Sequence, residues 1–275
     1  MRQKVINIVV LEKEKVEKVA LEPVKEKLTK IAVISATISL FLISVSLLEL
    51  DWVRFMTRLE NLPQVLSNFM SFNWSVVLIG VEQLMISVFL AIGGLVIGSV
   101  SSFILAFCGA SNTTFSKPLS AAIKGFVSII RAVPNLVLII MIVASIGMGY
   151  IAGVIALTLS SVGYLTKAFI SSIEEQDNGI SEALGSNGAN WFQIMYHGYL
   201  PRLVTSFLSW MSINLESNIS ASISLGIVGA GGIGMLLNRA IRQSNHADLT
   251  TYVVIIFMFL YILEILVNRF RGRIK

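Results

Sequence analysis

The stretches Ile31 to Leu48, Gln83 to Ser116, Ala132 to Thr166, Ser217 to Asn238 and Leu249 to Leu263 of this 275-residue chain contain neither an acidic nor a basic residue. A helix needs roughly 20 mostly apolar residues to cross the hydrocarbon core of a bilayer. Irregular backbone cannot stand in lipid, because its peptide groups would lose their hydrogen-bond partners. The runs therefore predict an all-α, polytopic membrane protein. Wound as one helix, 132 to 166 would be roughly 50 Å long, too much for one crossing at ordinary tilt. SIGMGY (145 to 150), with two glycines, is accordingly read as a turn. Six transmembrane helices result, at about Ile31 to Leu50, Ser75 to Phe107, Leu119 to Gly147, Tyr150 to Ile170, Leu203 to Val228 and Thr251 to Asn268.

The basic residues fix an expected orientation. With the N-terminus inside, the inner side holds eight between Arg2 and Lys30, then Lys117, Lys124, Lys167 and Arg202, and four between Arg269 and Lys275. The outer side holds only Arg54, Arg58, Arg239 and Arg242. A sixteen-to-four excess of this kind places the basic loops in the cytoplasm. Both termini and the 171 to 201 loop are thus expected to be cytoplasmic. The same asymmetry accounts for the net charge of +5 without nucleic acid as a partner. Residues 1 to 30, with the charged run EKEKVEK, read as a cytoplasmic amphipathic leader rather than a signal peptide.

GAGGIG (229 to 234) matches the spacing of a dinucleotide-binding fingerprint, and Asp248 stands where a ribose-binding acid is expected. The fingerprint needs a strand before it and a helix after it in a βαβ unit. Here it follows a membrane helix at the outer end of the fifth span, so a membrane-embedded oxidoreductase is set aside. Gly229, Gly231, Gly232 and Gly234 are left with two readings, a flexible turn or a close approach between helices or subunits on the pathway. A lone cysteine, Cys108, excludes an internal disulfide and a cysteine metal cluster. His197 and His246 are too few and too isolated for a metal site.

The connection EEQDNGISEALGSNGANWFQIMYHGYLPRL (174 to 203) is unusual for a membrane protein loop. DNG (177 to 179) ends the incoming helix, Ser181 can cap a short helix with Glu182 in its first turn, and Asn190 can cap another at Trp191. Pro201 suits the first turn of the next span. Trp191, Phe192 and Tyr196 put apolar area where water is expected, which asks for a protein partner.

Glu182-Ala183-Leu184, then Gly188, then Leu200-Pro201 resembles the EAA loop of binding-protein-dependent ABC transporter permeases, with Leu184 departing from the usual alanine. RAVPNLVLIIMIVASIGMGYIAGVIAL (131 to 157), the EALxxxGA core and SLGIVGAGGIGMLL (224 to 237) are similar to the phosphonate-type branch. The resemblance covers roughly residues 75 to 270. It implies a type I ABC importer permease core over 75 to 270, preceded by a leader (1 to 30) and a first transmembrane helix (31 to 50). It implies two cytoplasmic ABC ATPase subunits that bind the ATP, a second and often identical permease subunit, and an extracytoplasmic solute-binding protein, all at a bacterial cytoplasmic membrane. This chain itself would carry no catalytic residue, metal or cofactor, and it has no Walker sequence. Glu182, Ala183, Leu184, Gly188, Ala189 and Trp191 are the implied ATPase-coupling residues.

Ionisable groups at membrane depth are costly and usually face a cavity or a partner. Lys167, Glu264 and Glu82 lie near span ends and can snorkel. Arg131, just before Pro134, and Glu216, in NLESNISAS (214 to 222), lie deeper. Arg131, Pro134, Glu216, Asn218 and Ser220, with Ser222, are expected to line either the pathway or the subunit interface, or else the polar residues of 214 to 222 bond helix to helix without touching solute. The resemblance makes phosphonate or a related oxyanion the expected solute, but Ser220 stands where phosphonate-type permeases tend to carry arginine, so phosphate-like anions or another small solute stay open. A channel or receptor has no need of the EAA-like loop.

Overall fold

The computed structural model describes residues 24–48, 51–177 and 179–274. Most of the expected leader, and the last two residues of the expected first span, lie outside them. All regular structure among the described residues is helical. The chain divides into two units, one up to Pro63 and one from Gln64 onward.

The first unit contains α1 (Val24–Leu47) and α2 (Trp52–Glu60), and the division falls within α3 (Leu62–Phe69). Helix α1 is long and apolar enough to cross a membrane, and none of its most apolar window is buried within the chain. Asp51 caps α2 by accepting from the Arg54 N–H at 3.0 Å. Trp52, Phe55, Met56 and Leu59 fall on one face of α2, the i, i+3, i+4, i+7 spacing of a helix with one apolar side.

In the second unit a 3-10 turn (Trp74–Val76) leads into α4 (Val77–Gly109), followed by α5 (Lys117–Ala132), α6 (Asn135–Ile146) and α7 (Tyr150–Glu174). Then come the short α8 (Gly179–Ser186) and α9 (Trp191–Gln193), a π-helical turn (Ile194–Tyr199), α10 (Leu200–Ile227), α11 (Ile233–Arg242) and α12 (His246–Ile274). Helix α4 lies closely along α7. A Cβ on Gly94 would stand 2.5 Å from that of Leu157, and one on Gly98 would collide with Ser161. Gly94 and Gly98 thus form a GxxxG face that brings two backbones together, the device used where lipid removes any hydrophobic drive for helix pairing. Helix α10 completes the core: Phe207 stacks on Phe169 of α7 at 4.1 Å between centroids, and Leu203, Ile219 and Leu225 are buried.

The third expected span is corrected. Leu119 to Gly147 is not one helix, because α5 and α6 meet at 91°. Pro134 lacks an N–H and pushes Val133 into an extended conformation (φ −81°, ψ 123°), so the α5 ladder stops there. The Leu138 N–H then donates to the Pro134 carbonyl at 3.1 Å and starts α6. Among the described residues four helices are long and apolar enough to cross a membrane, or five if the α5–α6 pair is one broken span. Reaching six depends on α10. It has the length, 28 residues, but Arg202, Asn214, Glu216, Asn218 and seven serines make it the polar helix of the bundle.

Candidate functional site

The segment from α8 to the π-helical turn is built by local capping. Ala189 N–H donates to the Leu184 carbonyl at 3.1 Å and Gly188 N–H to that of Gly185 at 2.9 Å, a Schellman ending with Gly188 at φ +81°. Nothing lies within 4 Å of a Cβ placed on Gly188, so its backbone conformation alone calls for glycine. Asn190 and Gln193 form a reciprocal capping box at the start of α9. Ile180 and Leu184, four residues apart, lie against Gly198, where a Cβ would stand 2.8 and 2.9 Å from their side chains. That packing gives Leu184 its reason: it faces inward, while Glu182 and Ala183 are exposed.

Trp191 is placed differently from its neighbours. Its indole Nε1 donates to the Thr113 carbonyl at 2.7 Å, and its ring lies 4.5 Å from that of Phe115. It is partly buried and ties the segment to the α4–α5 connection. The exposed aromatics are Phe192, Tyr196 and Phe115, at 73%, 65% and 61%. The α4–α5 connection is itself pinned. Thr113 Oγ1 donates to the Phe107 carbonyl at 2.7 Å, Asn112 Nδ2 to the Ile173 carbonyl at 2.8 Å, and Lys124 pairs with Glu174 at 2.8 Å.

The glycine loop after α10 is a packed turn. Ala230 N–H donates to the Leu225 carbonyl and Gly229 N–H to that of Gly226, both at 3.1 Å, a second Schellman ending with Gly229 at φ +97°. Gly231 and Gly232 also have positive φ, and a Cβ on them would strike the Tyr150 ring and the Ser87 hydroxyl. Gly234 packs against the Ile223 carbonyl and Gly226, folding α11 back on α10. Ser87 Oγ accepts from the Ile233 N–H at 3.1 Å and so satisfies one of the free donors at the start of α11. Asp248 accepts from Asn73 Nδ2 at 2.7 Å, tying α12 to the segment before α4.

At membrane depth the expected residues separate. Asn218, only 2% exposed, donates to Ser161 Oγ at 2.8 Å and to the Ala91 carbonyl at 3.3 Å, joining α10 to α7 and α4. Ser222 is fully buried and bonds within its own helix, to the Ile219 carbonyl. Both are engaged in hydrogen bonds within the helix bundle. Ser220 is exposed and Glu216 half-buried, with no ion pair among the described residues. Arg131 and the Pro134 bend sit beside a polar notch to which Asn135, Ser160, Tyr164, Asn214 and Ser217 contribute. Those five were not singled out in the sequence. Asn214 and Ser217 lie at the polar stretch of α10, but Ser160 and Tyr164 look like ordinary residues of an apolar helix until α7 meets the bend.

Residues 94–275 match the family described as "Binding-protein-dependent transport system inner membrane component". Among curated proteins, the chain is 32% identical over 189 residues to the "Phosphate-import permease protein PhnE" of Mycolicibacterium smegmatis, covering 69% of this chain and 35% of that protein. It is 32% identical to the "Phosphite transport system permease protein PtxC" of Stutzerimonas stutzeri, over 64% of each chain. A "Probable D-methionine transport system permease protein MetI" of Vibrio cholerae is 31% identical over 54% of this chain and 68% of that protein. The chain thus spans 35% to 64% of the first three curated relatives it matches. A solved structure titled "Inward facing conformations of the MetNI methionine ABC transporter" aligns with a TM-score of 0.63 at 21% identity, covering 74% of this chain and 100% of that one.

Proposed function

The chain belongs to the binding-protein-dependent transport system inner membrane components, and on that premise we propose that it is the permease subunit of an ABC importer for a phosphorus oxyanion. The relatives named for phosphate and phosphite support the substrate class. Two copies would enclose the pathway, two ATPase subunits would bind on the cytoplasmic side, and a binding protein would deliver solute outside. The chain's own task is then positional. It converts a push on one exposed segment into a rearrangement of helices, with no bond made or broken by its side chains.

The observation that carries this reading is the construction of 179–199. A rigidly capped helix, α8, exposes Glu182 and Ala183, packs its other side on Gly198, and continues through Trp191 to the Thr113 carbonyl. When the ATPase dimer closes, motion of α8 would reach the end of α4 and the start of α5 through that bond and the start of α10 through the π-helical turn. Such a device shifts an equilibrium between inward- and outward-open states only if the ATPases contact the two states differently.

The test is capture of the co-encoded ATPase subunit by the tagged chain from detergent-solubilised membranes. Ala183→Asp and Glu182→Lys should each cut the captured ATPase about tenfold, the loss expected when an interface contact is replaced by a like charge or an unpaired one. Full capture by both variants overturns the coupling role. A second reading, methionine uptake, is favoured by the MetI relative. Cells carrying the complete transporter and given labelled phosphite, phosphate or methionine would separate the two.

A further inference from the structure

A notch of about 120 Å³ opens at the α5–α6 bend, several times the space one water requires. Its polar lining is Arg131, Asn135, Ser160, Tyr164, Asn214 and Ser217, and no carboxylate is among the lining residues. Ser160 stands about midway along α7 and Asn214 midway along α10. The notch therefore lies near the middle of both helices rather than at their ends, and it opens at a side where Arg131, Asn135 and Ser217 are exposed.

Three independent observations give it an electrostatic character. Arg131 has no carboxylate partner among the described residues, although a cation on a membrane segment is costly without a counter-charge. Asn214 is 2% exposed, yet its side-chain oxygen accepts no hydrogen bond. That oxygen therefore keeps free capacity to accept from a donor. Finally, Asn135 is the first residue of α6, so the positive end of that helix opens at the notch.

The remaining groups complete a donor set. Ser160 Oγ donates to Asn135 Oδ1 at 3.2 Å, which commits that oxygen and leaves the Asn135 amide hydrogens free to donate. The Tyr164 and Ser217 hydroxyls add two more donors, and Tyr164 lies in the fields of both Arg131 and Arg271.

We propose, building on the permease reading above, that this notch holds a tetrahedral phosphorus oxyanion in transit. Arg131 pairs with its charged oxygens, and the Asn214 side-chain oxygen, once its amide rotates toward the notch, accepts from a P–OH. The monoanion matches the lining on both counts. A dianion would bring a second charge to a lining with one cation, and for phosphite or a phosphonate, whose dianion has no P–OH, it would also leave Asn214 without a donor. The break between α5 and α6 then has a purpose, since it presents a helix start and an arginine to the same point.

The test uses proteoliposomes containing the whole transporter, supplied with its binding protein and with labelled inorganic phosphate, phosphite or methionine. Arg131→Gln and Asn214→Leu should each lower oxyanion uptake about tenfold or more, the effect of losing a charge-assisted or buried hydrogen bond to solute. Arg131→Lys should recover a substantial part of it, and all variants should capture the ATPase subunits at wild-type yield. Wild-type uptake by both Arg131→Gln and Asn214→Leu overturns the proposal while leaving the permease reading intact, as does an Arg131→Lys as poor as Arg131→Gln. If Asn214→Leu does not reach the membrane, Ser217→Ala takes its place with the same expectation of reduced uptake. A wild-type transporter that accumulates methionine and neither oxyanion instead removes the substrate reading itself.

Discussion

The indole of Trp191 donates its Nε1 hydrogen to the carbonyl oxygen of Thr113 across 78 residues of sequence, at 2.7 Å. This bond joins the exposed α8–α9 segment to the connection between α4 and α5. Thr113 is buried, and its own hydroxyl bonds the end of α4 through Phe107. A displacement of α8 therefore cannot leave the α4–α5 connection behind unless the bond breaks.

Replacing Trp191 with Phe keeps most of the ring and removes only the donor. Loss of a hydrogen bond that leaves a carbonyl unpaired costs about 1–3 kcal/mol. The expected outcome is a stable complex in which ATP hydrolysis persists but transported solute per ATP falls, measured in proteoliposomes. Unchanged stoichiometry in Trp191→Phe would show that the bond transmits nothing.

Gly188→Ala tests backbone conformation in isolation, because no atom lies within 4 Å of the added methyl. Holding alanine at φ +81° costs about 1–2 kcal/mol. The capped end of α8 should fray and ATPase capture should fall, while the thermal unfolding of the helix bundle stays as in wild type. Asn at 188 should be the milder substitution, since it tolerates the left-handed region better than alanine.

Gly93 and Gly94 are adjacent, but their surroundings are opposite. A Cβ at 93 meets only Val154 at 3.7 Å, an ordinary contact, whereas one at 94 stands 2.5 Å from the Leu157 Cβ and 3.1 Å from its backbone carbon. Gly94→Ala is expected to destabilise by about 1–3 kcal/mol through overpacking, and Gly93→Ala to be neutral or slightly stabilising. Thermal denaturation of the two variants in detergent provides the comparison.

Ser87→Ala removes the acceptor of the Ile233 N–H at a fully buried position. Destabilisation of about 1–3 kcal/mol is expected, concentrated in the glycine turn. Hydrogen exchange should rise at the start of α11 with little change in α7. Uniform exchange across both helices would mean the turn does not depend on this bond.

Orientation can be measured directly because Cys108 is the only cysteine. In a Cys108→Ser background, Tyr196→Cys should react with an impermeant thiol reagent only from the cytoplasmic side and Arg242→Cys only from outside, as the basic-residue asymmetry requires. The reverse pattern would remove the ATPase-docking role of α8.

Signals that act within a few residues were readable in advance. Charge-free length announced the helices of α4, α7 and α12, Asn190 announced its cap, and Pro201 announced the start of α10. Each depends on local peptide geometry or on the solubility of a single segment in lipid. Pro134 was visible too, but its consequence was not. A proline can kink a span or break it, and the packing of α6 against α7 decides which, here a 91° break.

Pairing between distant segments left no such local trace. Nothing in α7 marks Ser161 as the partner of Asn218, or Ser160 and Tyr164 as neighbours of Arg131. Nor does the sequence show that Trp191 turns inward while Phe192 stays exposed. Hydropathy records how apolar a helix is, not which side faces a neighbour, and in a bundle where nearly every side chain is apolar the amphipathic period is too faint to tell. The polar residues of α10 could therefore be recognised as significant from sequence, but only the close approach of α4 and α7 along Gly94 and Gly98, which sets Ser161 beside α4, made Asn218 a fastener between three helices.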